Sequence, residues 1–220
     1  FSAPPADLAP GATYALDDDD LASRLSFFLW SSVPDDELLA LAGQRKLRDP
    51  AVIEAQVRRM LADPRAEALV TSFAQQWLHV RNVREIVPDP VLFPGYTPNL
   101  GEALAREIEL FVGSVFLEDR SVLTLLNGGY TYVNESLALH YGIDGVRGDN
   151  FRRVELRDRN RFGLFGKGGI LMTTSYPNRT APVLRGAWIL ESITGTPPAS
   201  PPPDVPALAE NQDEIGRAHV

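Results

Sequence analysis

Between residues 17 and 120 apolar positions recur at helical spacing, and capping residues stand where each run begins. The Asp17–Asp20 cluster precedes "LASRLSFFLW", where carboxylates cap a helix and meet its positive end. "SVPDDELLALA" marks a second start, with Ser32 ahead of Pro34 and acids in the first turn. Asp49-Pro50 and Asp63-Pro64 each set a capping carboxylate before a proline suited to the first helical position. The second pair opens "RAEALVTSFAQQWLHV", which predicts a helix with Leu69, Phe73, Trp77 and Val80 on one face. Gln76 lies inside that arc and needs a buried partner, and His79 falls on its flank. After a Pro-rich connection, Val87–Leu100, "GEALAREIELFVGSVFLED" predicts the longest helix, with Leu104, Ile108, Phe111 and Val115 as its core stripe.

Beyond residue 127 the pattern changes. Asn127-Gly128-Gly129 marks a turn, "YTYV" is a short strand pattern, and Asn134 starts a brief helix carrying Leu137, Ala138, His140 and Tyr141. "FRRVEL" (Phe151–Leu156) alternates as a short exposed strand does. Further on, Thr180 and Pro182 predict the start of a helix bearing Leu184, Trp188 and Ile189, which Gly195 ends. The expected fold class is mainly α: an irregular helical assembly of two packed subdomains with a minor extended element, divided near Ile143–Asn150.

Composition narrows the functions. At 220 residues the chain can bury a real core, and a net charge of −8 argues against general nucleic-acid binding. No apolar run reaches the length of a membrane span. The absence of cysteine excludes disulfides, thiolate metal sites and a C-x-x-C-H haem attachment within these residues. With three histidines, a His-rich metal cluster is not expected either. From Arg147 to Arg185, however, nine basic residues face three acids, a local charge of +6. Ion pairing with the acidic remainder is the simpler reading, and an anion-facing surface the functional one.

Motifs for catalysis are wanting. "GLFGKGG" (Gly163–Gly169) lacks the spacing and the hydroxyl residue of a phosphate loop, so its glycines read as places of close chain approach. No G-x-S-x-G elbow occurs. Glu107 borders the stripe of the longest helix, where a carboxylate is either paired with an arginine or poised for chemistry. Pairing is the preferred expectation. The interaction candidates are therefore Arg179, Arg185, Trp188, His140 and Glu107, with no catalytic or metal-ligating residue assigned. An enzymatic alternative, a hydrolase-like or carbohydrate-active domain, would use Glu107 or Glu135 with Tyr132, Tyr141 or Trp188 as sugar platforms.

In "DDDDLASRLSFFLWSSVPDDELLALA", "GGYTYVNESLALHYGI" and "RFGLFGKGGILMTTSYPNRTAPVLRGAWILESITGTPPASPPPDVPAL", the chain resembles two consecutive domains of unknown function, numbered 1592 and 1588. The resemblance divides it into a tail over 1–16, a helical domain over 17–146 and the start of a second domain over 147–213. Residues 214–220, "EIGRAHV", resemble a translated sequencing adapter and are set apart. Proteins similar to this one are large exported bacterial chains that carry c-type cytochrome modules, many encoded near genes for sulfatases or polysaccharide breakdown. The resemblance thus implies an exported, periplasmic or cell-surface scaffold or interaction module. Its expected partners are other domains of the parent chain, a redox partner or a polysaccharide. It carries no cofactor of its own, and a c-type haem is expected beyond the semi-rigid proline track.

Overall fold

The computed structural model describes residue 9 and residues 11–199. The later part of the proline track and residues 214–220 lie outside the described residues. Three helices come first. Helix α1 (Asp18–Trp30) is capped by Asp17, whose carboxylate accepts from the Asp20 N–H at 2.7 Å. Of the acidic run, Asp18 turns inward, accepting from the Leu47 N–H at 2.8 Å while Arg48 stands 3.1 Å away. Helix α2 (Asp36–Gly43) is capped by Asp35, three residues later than Ser32, because the Asp35 carboxylate reaches the Leu38 N–H at 3.1 Å. Helix α3 (Pro50–Leu61) begins on the expected Asp49-Pro50 pair. Ala22, Leu29, Leu38, Leu47 and Met60 are buried between these helices, and the Trp30 indole N–H donates to the Met60 carbonyl at 2.9 Å.

The regular helix expected after Asp63-Pro64 is absent. Asp63 caps only a 3₁₀ turn, Pro64–Ala66. The chain then passes through a π-helical stretch, Leu69–Ala74, into the short helix α4 (Gln75–Trp77), and His79 breaks it with φ of 57°. The wider π turn shifts every later side chain around the axis. Leu69 and Val80 stay buried, Phe73 is exposed, and Gln76 faces outward instead of needing a buried partner. The inward amide is Gln75, which donates to Glu109 at 2.7 Å.

Helix α5 (Pro98–Phe116) is the axis of the larger core, capped by Thr97 and started by Pro98. Its expected stripe, Leu104, Ile108, Phe111 and Val115, is fully buried. Helix α6 (Thr124–Asn127) leads through the Gly128–Gly129 turn into strand β1 (Tyr130–Val133), and helix α7 (Glu135–Tyr141) follows on its Asn134 cap. Strand β2 (Arg152–Glu155) pairs antiparallel with β1, Tyr130 opposite Glu155. Helix α8 (Gly168–Thr173) lies directly on α5. A Cβ on Gly169 would stand 2.6 Å from Ile108 Cδ1, and one on Gly168 would stand 2.5 Å from Leu104 Cδ2. Close approach is therefore what "GKGG" provides. Helix α9 (Pro182–Trp188) continues as a second π stretch, Ile189–Ile193. Thr180 does not cap α9: Ala181 holds the cap position and no side-chain cap bond forms there.

Buried apolar residues thus form two clusters. The smaller joins α1–α3 with Ala66 and Leu69, and the larger runs from Val70 to Trp188 around α5. Phe116 packs against both. The Ile143–Asn150 stretch, read from the sequence as a division, links α7 to β2 and contributes Val146 to the larger cluster.

Candidate functional site

Glu107, on the inner face of α5, has no exposed surface. Its partners are hydroxyls, and the expected arginine pairing falls on Glu109 instead. Thr131 of β1 donates to Glu107 Oε1 at 2.5 Å and Tyr141 of α7 donates to Oε2 at 2.6 Å. Tyr141 Oη in turn accepts from the Gly168 N–H at 2.8 Å, where α8 begins. Beside them Lys167, 1% exposed, donates to the Tyr130 carbonyl at 3.0 Å and lies 4.4 Å over the Phe111 ring. Glu109, two residues further and therefore on another side of α5, receives Arg84 at 3.1 Å and Arg106 at 2.9 Å.

Burial dominates the electrostatics of this group. It raises the Glu107 carboxyl above its ordinary range, against the nearby Lys167 charge and the two hydroxyl donors. It lowers Lys167 to about 8, against the attraction of Glu107. Burial and then Glu107 push the Tyr141 hydroxyl well upward. Perturbed groups of this kind mark either a reactive site or a structural polar network. Here every oxygen of Glu107 is bonded and sealed from solvent, which defines a network that fastens α5, β1, α7 and α8 together.

Two hollows flank it. A groove of about 350 Å³ runs between the 86–104 segment and the 168–180 segment, with Gly168 in its lining together with His140 and Arg179. A cavity of about 530 Å³ lies between the 61–71 segment and α5, lined by Asp63, Glu67, Glu109, Glu118 and Tyr132 among others. Each of those carboxylates is held by arginine: Asp63 by Arg65, Glu67 by Arg106, Glu109 by Arg84 and Arg106, and Glu118 by Arg120.

The structure scatters the sequence candidates. Arg179 and His140 share the groove, while Arg185 lies off it, half-buried, with Nε 3.4 Å from Thr174 Oγ1. Trp188 is core, edge-on to Phe165 at 6.4 Å, and its indole N–H has no hydrogen-bond partner among the described residues. Glu135 is engaged with Arg147 at 2.9 Å and with the Gly148 N–H at 2.7 Å. Sequence reasoning missed Lys167 and Thr131. Lys167 stands between Gly166 and Gly168–Gly169, and nothing in that local pattern marks its side chain as buried. Among the described residues, no cluster of His, Cys, Asp or Glu is placed to hold a metal ion, and no helix is long and apolar enough to cross a membrane.

The sequence that folds into this helical body matches two family models. The family described as "Protein of unknown function (DUF1592)" matches residues 16–143, more than half of the chain, and the chain belongs to it. A second, "Protein of unknown function (DUF1588)", matches residues 161–219 in tandem. Neither the curated proteins nor the solved structures yield a match. Glu107, Thr131 and Tyr141 come from the first matched segment, and Lys167 and Gly168 from the second. The network therefore stitches the two segments together.

Proposed function

We propose that this chain is an interaction module of an exported, c-type-cytochrome-associated protein. The observation that carries this reading is the exposed basic stretch that follows the strand pair. Arg157 and Arg159 stand in solvent without an ion pair among the described residues, in a chain whose net charge is −8. Surface guanidinium groups left open in this way suit an acidic docking partner, and another domain of the parent chain supplies the simplest one. The candidate carboxylates, by contrast, are already occupied: Glu107 by hydroxyls and Glu135 by Arg147 and Gly148. Covalent haem does not fit these residues, since there is no cysteine to carry it. In this reading the haem belongs to the chain beyond the proline track.

Reading the source locus downstream of residue 213 tests the proposal. A C-x-x-C-H motif in frame, and a haem-staining product on expression of the extended chain, are expected. Exchange of Arg157 and Arg159 for Glu in that extended chain should then alter haem content or redox potential. A continuous frame lacking the motif contradicts the cytochrome association.

A second reading, a carbohydrate-active domain, draws on the 530 Å³ cavity, where Tyr132 lies with four carboxylates. It requires those acids to leave their arginines. Release of reducing sugar from a polysaccharide, lost on Tyr132→Ala, would support it.

A further inference from the structure

The groove between the two matched segments is built for one kind of occupant. Its walls are mostly apolar, including Phe93, Tyr96, Leu104 and Met172. Its ionisable lining, tyrosines aside, consists of Arg179 and His140, with no aspartate or glutamate among the residues that form it. Arg179 is positioned in advance. The Tyr176 N–H donates to the Arg179 carbonyl at 2.9 Å, closing a tight turn, and the guanidinium lies 4.8 Å from the centre of the Tyr176 ring. A guanidinium held over a ring retains N–H groups for a carboxylate, which it can bind through two hydrogen bonds. No acid is paired with it among the described residues. His140, whose proton affinity is lowered by burial and by Arg161, is neutral near pH 7 and adds hydrogen-bonding capacity without a second charge.

Size completes the description. At about 350 Å³ the groove falls at the lower end of the ~300–1,000 Å³ range of small-molecule sites. That size, with mostly apolar walls, suits one small molecule with an apolar body. We infer that this groove binds a free, small amphipathic carboxylate, its tail along Tyr96, Leu104 and Met172 and its carboxylate on Arg179. The inference is independent of haem and of Arg157 and Arg159. It assigns the chain a ligand of its own, held where residues of both family segments meet.

Octanoate, octan-1-ol and octylammonium share a tail and differ in charge, so their titration into the whole chain by calorimetry separates the parts of the claim. Octanoate is expected to bind at least tenfold more tightly than octan-1-ol, with octylammonium weakest. Arg179→Gln, at an exposed position, should abolish the preference for octanoate while octan-1-ol binding persists. Arg58→Gln, an exposed arginine of α3 outside the groove, should change neither. Met172→Trp, which fills the groove, should weaken all three. Equal binding of octanoate and octan-1-ol, or a preference that survives Arg179→Gln, overturns the carboxylate assignment. Absence of binding by every octyl probe overturns the site itself.

Discussion

In the cluster of α1–α3, apart from the inward-turned Asp18, the charged groups sit at the rim. Asp35 receives Arg59 through two hydrogen bonds at 2.7 and 3.1 Å, and Arg65 lies 3.5 Å over the Trp30 ring while reaching Asp63. In the α5-centred core the charges are inside: Glu107 is 0% and Lys167 1% exposed. Water screens the first set, so each contact there contributes little. The second set has lost its hydration, and only its protein partners compensate. The difference teaches where each region is vulnerable. Rim pairs can be removed singly, whereas the buried groups stand or fall together.

The largest expected effect comes from Glu107→Ala. It leaves the Thr131 and Tyr141 hydroxyls without their acceptor and Lys167 without its nearby counter-charge, at a cost of about 3–5 kcal/mol in urea unfolding. Glu107→Gln, which keeps an acceptor for one hydroxyl, should lose distinctly less.

Next in size is a pH effect at Lys167. Its folded value of about 8 lies below the ordinary 10.5, so the unfolded chain binds more protons between those limits. The lysine's contribution to stability therefore rises from pH 8 toward 10.5. Comparison with Lys167→Met isolates this rise from tyrosine titration, and the variant should lack it.

The smallest effect is at the rim. Asp35→Ala removes the α2 cap and the Arg59 pair, a loss of about 1–2 kcal/mol at pH 7. The Arg59 hydrogen bond holds the Asp35 carboxyl below its usual 3.8. Its contribution is thus complete above that value and lost as pH falls through the folded one, so wild type and variant should converge in strong acid. A loss at Asp35 larger than that at Glu107 would invert the comparison.

The same contrast governs what was legible in the sequence. The caps at Asp17, Asp49 and Asn134, the α5 stripe and the separate strand patterns of β1 and β2 depend on neighbours within a few residues, and local pattern reports them. Ser32 misleads because several capping candidates stand close together and Asp35 takes the cap, whereas Thr180 misleads because α9 starts from Ala181 with no side-chain cap. The π stretches at Leu69–Ala74 and Ile189–Ile193 have no residue signature, so Gln75 and Gln76 exchange the faces that a regular helix assigns. Glu107 was visible as a polar residue beside an apolar stripe. Its partners were not, because Thr131, Tyr141 and Lys167 arrive from 24 or more residues away and folding alone unites them. The groove is illegible for the same reason, since its walls come from both ends of the larger core.

Native-state hydrogen exchange on the whole chain tests most directly whether the buried network makes the two matched segments one cooperative unit. The amides of α5 and α8 should exchange with the same opening free energy and the same denaturant dependence. If α8 opened at markedly lower free energy while α5 remained protected, the segment beyond residue 161 would be an appendage, and the network would not be what unites the fold.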